Sequence, residues 1–270
     1  MVRVIGVGDN TVDQYLHLGM MFPGGNAVNV AVLAHRYGHP TSYLGWFGND
    51  VYGHLLLRAL EDEGIDISHC RVMDGPNARG EVTVVDGDRV FGPATHGVTT
   101  QIDLTPDDLE YIGQHDLMHT SIYSHIERQL PELSQTTPVL AFDFSSDWKR
   151  DYLAECLPWV NIALLSYPDR EYEAVEDLMR WISAQGPRLV LVTQGKDGAT
   201  VFDGERFYRQ GIVDTEVVDT LGAGDSFAAR FLVEYLGGVA IREAMSKAAE
   251  SAAETCRYYG AFGHGMPIPQ

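Results

Sequence analysis

Basic residues are scarce in this sequence: 19 lysines and arginines stand against 38 aspartates and glutamates, a formal charge of -19 over 270 residues. A field of that sign repels nucleic acid and anionic membranes, so neither is expected as a partner. A bound polyphosphate must then depend on local amides, a metal ion and a few basic side chains. Cysteine is equally sparse. Cys70, Cys156 and Cys256 lie far apart and fit neither a disulfide framework nor a C-x-x-C metal site, so free thiols in a reducing cytoplasm are expected. The apolar run at Met1 to Gly8 stops at Asp9, too short for a signal segment or a membrane span. The expectation is a soluble, cytoplasmic protein.

There is also no internal repeat, no Pro/Ser-rich linker and no G-x-x-x-x-G-K-[ST] phosphate loop. The ten histidines, His119 and His125 included, show no metal-ligand spacing and read as ordinary polar contacts. What is present is 45% hydrophobic residues with 21% charged, enough for one α/β domain spanning 1–270 with a proper core.

From Thr105 onward, short apolar strands alternate with amphipathic helices. Asp116 to Thr120, Val139 to Phe144, Asn161 to Leu165 and Leu189 to Thr193 are the strands, and Pro106 to Gln114 and Glu171 to Ala184 are helices. This pattern predicts a doubly wound, mostly parallel sheet covered on both faces, with ligands beyond the carboxyl ends of the strands. Val2 to Gly8 reads as a buried first strand, Thr41 to Phe47 as another, and Val51 to Glu63 as a helix ended by Gly64. Two stretches alternate apolar with polar residues, 11–18, which reads as a strand with one wet face, and 77–92, folded about Asp86-Gly87-Asp88. Together they predict a small β lid.

The chemistry is concentrated in Asp219-Thr220-Leu221-Gly222-Ala223-Gly224-Asp225, which opens directly into an apolar helix. A glycine-rich turn at a helix start aims backbone N–H groups at one point, where the helix dipole favours an anion. Asp225 at that mouth suits a base taking a proton from a hydroxyl while the amides hold a phosphoryl group; it also suits a plain N-cap. Pro23-Gly24-Gly25-Asn26-Ala27-Val28-Asn29 opens a second helix. There Asn26 and Asn29 sit about one turn apart, placed either for sugar hydroxyls or for capping a core helix.

These two stretches resemble the two signatures of the ribokinase (PfkB) family of carbohydrate kinases, the second being D-T-x-G-A-G-D. Gly8-Asp9-Asn10 with Asp13, Asp88 to Gly92 and Ala141 to Ser145 are most similar to its fructosamine-phosphorylating branch. The resemblance implies a ribokinase-like fold and transfer of the γ-phosphoryl of ATP to a primary sugar hydroxyl, with the 6-hydroxyl of fructoselysine or a related fructosamine as the expected acceptor and fructose, ribose or a nucleoside as the alternative. It makes Asp225 the base and Gly222, Ala223 and Gly224 the anion hole. Asp9, Asp13, Gly24, Gly25, Asn26 and Asn29 become the sugar side, with Arg89, Phe91 and Tyr123 as further pocket residues. Thr193, Gly195 and Thr220 fall on the nucleotide side. The cofactors implied are ATP and Mg²⁺, with room for a monovalent cation, and the lid is where a homodimer would pair.

The family's Asn-x-x-Glu motif is where this chain departs, with Ser166 in the asparagine place and Asp169 in the glutamate place. Asp169 or Glu171 is then left to order water around Mg²⁺. Two other classes compete. Gly6-Val7-Gly8-Asp9-Asn10-Thr11 lacks the third glycine of a dinucleotide fingerprint and puts an acid where pyrophosphate would lie. A silent sugar-binding homologue is opposed by the intact Asp225 turn.

Overall fold

The computed structural model describes residues 1–85 and 88–269, and side chains outside residues 84–91. The chain begins β1 (Val4–Val7), β2 (Thr11–Tyr15), β3 (Met20–Gly24), α1 (Asn26–Arg36), β4 (Thr41–Leu44), β5 (Trp46–Gly48) and α2 (Val51–Asp62). It continues through β6 (Arg71–Met73), β7 (Arg79–Val85), β8 (Asp88–Thr95), α3 (Pro106–Ile112), β9 (Leu117–Ser121), α4 (Leu130–Thr136), β10 (Leu140–Asp143) and α5 (Arg150–Cys156). It ends with β11 (Ile162–Ser166), α6 (Tyr172–Ser183), β12 (Leu189–Thr193), β13 (Ala199–Phe202), β14 (Phe207–Gln210), α7 (Ala223–Leu236), α8 (Ile241–Thr255) and β15 (Met266–Pro267).

Eight strands make the main sheet in the order β14-β13-β12-β11-β10-β9-β1-β4. The six from β12 to β4 run parallel, and β13 and β14 are added antiparallel. Along β11, Ile162 and Leu164 enter one core while Ala163 and Leu165 enter the other. A continuous apolar run thus keeps its period of two, as a strand covered on both faces requires. One face is covered by Phe227 and Phe231 of α7 with Ala244 and Ala248 of α8. The other is covered by Ile112, Leu133, Leu153, Val175 and Ile182, from α3, α4, α5 and α6. Local signals start the helices: Asp50 accepts the amides of Tyr52 and Gly53, and Thr105 and Asp108 form a capping box.

Gly6 of β1 stands in register with Tyr43 on one side and His119 on the other. A Cβ at Gly6 would lie 2.3 Å from the Ala27 carbonyl oxygen, so glycine lets α1 lie directly on the sheet. This close approach sets the first turn of α1 beside the ends of β1 and β9.

A second sheet runs β15-β3-β2-β7-β8, with β2 antiparallel to β3 and parallel to β7. It contains parts of both alternating stretches, but three expectations change. The strand at 11–18 ends at Tyr15, and residues 16–19 turn. Its polar positions do not make a wet face: Asp13 is 7% exposed, and Tyr15, two residues on and so on the same face, is fully buried. The strand expected over Thr41 to Phe47 is two: β4 stays in the main sheet, and β5 leaves to pair with β6. The break falls at Gly45, where a Cβ would meet the Tyr43 hydroxyl at 2.1 Å. The tip at Asp86-Gly87 lies outside the described residues.

Candidate active site

At the carboxyl end of β1 the chain turns through Gly8 into Asp9, which is buried. The Asp9 carboxylate accepts the backbone N–H of Asn26 at 2.6 Å and of Ala27 at 3.3 Å, and the hydroxyls of Ser121 and Ser124 at 2.7 and 3.0 Å. It therefore does the capping work that the α1 N-cap residue, Gly25, has no side chain to do. Gly25 adopts φ 111°, and a Cβ there would stand 2.6 Å from the Asn10 Cα. The sequence expectation placed Asp9 against the sugar; in the fold it ties α1 to the ends of β1 and β9.

The glycine turn forms the start of α7. Gly222 is the N-cap at φ 76°, with no side-chain cap, and Ala223, Gly224 and Asp225 make the first turn. A Cβ on Gly222 would overlap Ala261 at 2.4 Å, so both the left-handed backbone and the space require glycine. The Ala223 N–H turns back to the Thr220 carbonyl at 3.3 Å. Asp219, buried at the head of the turn, accepts the N–H groups of Leu221 and Gly260 at 3.0 and 3.1 Å and the hydroxyl of Tyr15. Tyr15 lies on β2, so the second sheet is bonded to the turn.

Asp225 is not the N-cap. Its Oδ1 accepts from Asn26 Nδ2 at 2.8 Å and its Oδ2 from Asn29 Nδ2 at 2.6 Å. The two asparagines of α1 therefore face the acid of α7, as their one-turn spacing requires. Asn29 is buried, and among the described residues its Oδ1 has no hydrogen-bond partner.

Two residues that the sequence reading left outside the site complete this group. Asn26 Nδ2 also donates to Asp143 Oδ2 at 2.9 Å, and Asn26 Oδ1 lies 2.7 Å from His119 Nε2. Asp143 ends β10, and its Oδ1 accepts the Ser145 N–H at 2.7 Å. Loss of water raises its carboxyl to about 6, with Asp9 adding to the rise and the Ser145 and Asn26 bonds opposing it. His119 is fully buried, and burial pushes its imidazole down to about 3, so it is neutral. A signal for both was present: each is a polar residue within an apolar parallel strand, and Asp143 closes its run at the carboxyl end, where ligands collect.

Gly24, expected on the sugar side, ends β3, where a Cβ would stand 2.6 Å from Asp13 Oδ2 and 3.8 Å from Asn29 Oδ1. Tyr123, 42% exposed, bonds its hydroxyl to Ser145 at 2.8 Å; burial first, then Asp147, Asp143 and Asp9, push that hydroxyl up to about 12. The side chains of Arg89 and Phe91 lie outside the described residues. On the expected nucleotide side, Thr193 ends β12 and Gly195 follows at φ 58°. Beside them a cleft of about 440 Å³ is lined by Asp169, Glu171, Gln194, Lys196 and Asp197 among others. Lys196 Nζ lies 3.9 Å from Asp169 Oδ1, and these side chains are 79% and 81% exposed. Among the described residues, no three His, Cys, Asp or Glu side chains gather closely enough to hold an ion, and no helix is long and apolar enough to cross a membrane.

Comparison with known proteins identifies relatives of the whole chain. The chain is 42% identical over 270 residues to the fructosamine kinase FrlD of Bacillus subtilis (strain 168), covering 98% of this chain and 95% of that one. It is 39% identical over 262 residues to the fructoselysine 6-kinase of Escherichia coli (strain K12), covering 97% and 100%. The fold superposes on the ribokinase of Arabidopsis thaliana, solved with ribose and ATP, with a TM-score of 0.83 at 21% identity, covering 97% and 94%. The ribokinase-like α/β fold is thereby shown. Residues 4–268 match the pfkB family of carbohydrate kinases, and the chain belongs to that family.

Proposed function

We propose that this chain transfers the γ-phosphoryl group of ATP to the 6-hydroxyl of a fructosamine such as fructoselysine. The observation that carries the reading is the Asp225 carboxylate, held by Asn26 and Asn29 in the first turn of α7, beside the Gly222-Ala223-Gly224 backbone. Relatives named for fructosamine and fructoselysine phosphorylation, at 42% and 39% identity over nearly full length, support the acceptor.

In the proposed reaction the sugar oxygen attacks the γ-phosphorus, the bond to the β,γ-bridging oxygen breaks, and ADP leaves. The hydroxyl proton passes to Asp225. The first turn of α7, Gly224 foremost because the Ala223 N–H already reaches the Thr220 carbonyl, receives the charge of the phosphoryl group in flight. Asp13 and Asn29 Oδ1, a buried acceptor without a partner among the described residues, both stand beside Gly24 and suit neighbouring sugar hydroxyls. Positioning and electrostatics supply most of the rate in phosphoryl transfer, and a site of backbone amides, amide side chains and a held base carboxylate offers both. Asp147, Asp143 and Asp9 around Tyr123, together with the net charge of -19, favour an acceptor with a cationic arm over a phosphorylated sugar.

With no three carboxylates close enough among the described residues to hold a bare ion, Asp169 or Glu171 would order the water of Mg²⁺ that arrives hydrated on ATP: their cleft is open, and Mg²⁺ keeps several waters in preference to an all-protein cage. When bound there, it neutralises charge on the phosphates. The second sheet, joined to the turn through Tyr15 and Asp219, serves as the lid that excludes water. Its β8 edge is the surface proposed for homodimer pairing, which sedimentation of the purified chain tests.

A coupled ADP-release assay tests the acceptor, with fructoselysine, fructose, ribose, aminoimidazole riboside and adenosine compared at equal ATP. The expected result is a kcat/KM for fructoselysine at least about 100-fold above the others, since a site built for polar groups rejects analogues lacking them. Turnover of a plain sugar with fructoselysine inert overturns the reading.

A further inference from the structure

His119 is a fully buried polar residue with no part in the proposed reaction, yet its ring reaches the group that holds Asp225. Its reach follows from register. His119 pairs with Gly6, where the missing side chain lets α1 close on the sheet, and Asn26 opens α1.

The protons can be assigned from the partners. Asn26 Nδ2 carries two hydrogens and faces two acceptors, Asp143 Oδ2 at 2.9 Å and Asp225 Oδ1 at 2.8 Å. Its Oδ1, which only accepts, must then face a donor, so His119 carries its proton on Nε2. The His119 Nδ1 lone pair has no partner among the described residues, which leaves the ring this one productive tautomer. Turning the Asn26 amide over would put its oxygen against two carboxylates and its NH₂ against the His119 N–H. Three different strands and helices therefore fix one amide in one orientation.

We propose that His119, Asn26 and Asp143 are positioning residues that hold the Asp225 carboxylate in the orientation that receives the hydroxyl proton. The proposal rests on Asp225 being the base. The physical need is clear, because Asp225 lies in the first turn of a helix whose N-cap has no side chain to brace it. Misplacement of a reacting group by about 1 Å costs on the order of 100-fold in rate. Asn26, expected from sequence to touch sugar, instead has both N–H bonds engaged by protein carboxylates.

The test compares His119→Gln with His119→Met in the full-length chain. The two side chains are close in size, but only glutamine offers an N–H where Nε2 stands. The expected result is a kcat within about 3-fold of wild type for His119→Gln and a fall of at least about 10-fold for His119→Met. Sugar affinity by calorimetry should change less than about 2-fold in both. Equal kcat for the two variants overturns the proposal, since packing alone would not distinguish them. Should the methionine variant fail to fold, Asn26→Ala carries the same test, and wild-type kcat there overturns it. Asp225→Asn run alongside separates the two ideas: full activity in that variant removes the base, whereas its inactivity with a fully active Asn26→Ala removes only the positioning residues.

Discussion

Asn29 Nδ2 donates to Asp225 Oδ2 at 2.6 Å, although the two residues are 196 positions apart. The bond joins the first turn of α1 to the first turn of α7, and among the described residues Asn29 Oδ1 is left without a partner. In the proposed reaction one amide then serves both the Asp225 base and the acceptor.

Replacing Asn29 should therefore affect two parameters at once. Asn29→Ala is expected to lower kcat by about 10- to 100-fold and to raise the KM for sugar, a combination expected where ground-state and transition-state contacts are lost together. Asn29→Asp should be worse at neutral pH, because a second carboxylate would stand against Asp225, and should recover partly as the pH is lowered and one proton is shared. Steady-state kinetics of both variants from pH 5.5 to 8 check this.

Asp225→Asn should remove at least about 1,000-fold of kcat, general-base assistance and lost alignment together, while sugar binding by calorimetry stays within a few-fold of wild type. Substantial residual turnover would remove Asp225 from the role of base.

The Asp143 carboxyl gives a prediction of opposite sign to the usual surface acid. Its value is raised from the usual 3.8 to about 6, chiefly by loss of water. Below both values the carboxyl is protonated in folded and unfolded chains alike and contributes nothing to pH dependence. Between them the unfolded chain ionises first, so folded stability falls as pH rises; above about 6 the penalty is constant. The stability of wild type minus that of Asp143→Asn should fall by on the order of 1–3 kcal/mol between pH 4 and 7 and then level off. Paired urea titrations across that range measure the slope, and a flat difference contradicts it.

Gly222→Ala should damage both stability and catalysis. The left-handed backbone alone costs about 1–2 kcal/mol for a residue with a side chain, and the overlap with Ala261 adds to it. A lower Tm accompanied by a kcat loss of at least about 10-fold is expected. Gly204→Ala, at a positive-φ glycine with no atom near its Cβ, serves as the comparison: it should lower Tm with little change in kcat.

Much of the fold is legible in the sequence. The runs around Ile162 to Leu165 and Leu189 to Thr193 carry the strand signal locally, and Gly222 announces a left-handed turn whatever surrounds it. The spacing of Asn26 and Asn29 likewise makes them one face of a helix without tertiary help. Polar alternation misled at β2, because which face is wet depends on the neighbours and not on the strand. Thr41 to Phe47 misled because the break at Gly45 is imposed by Tyr43 and Gly8 packed against it.

Local backbone preference, hydrophobic period and glycine placement are properties of neighbouring residues, so the sequence by itself determined the alternating sheet, the anion turn and the family. Which groups touch Asp225 depends instead on register between distant strands. His119 lies beside Gly6 only because β1 and β9 pair, and Asp143 reaches Asn26 only because β10 follows in the sheet. The same is true of Asp9, whose carboxylate becomes the brace of α1 once Gly25 leaves that helix without a side-chain cap. Only the tertiary structure decided these contacts, because hydrogen bonds select partners by ångström-scale position, which no spacing along the chain specifies.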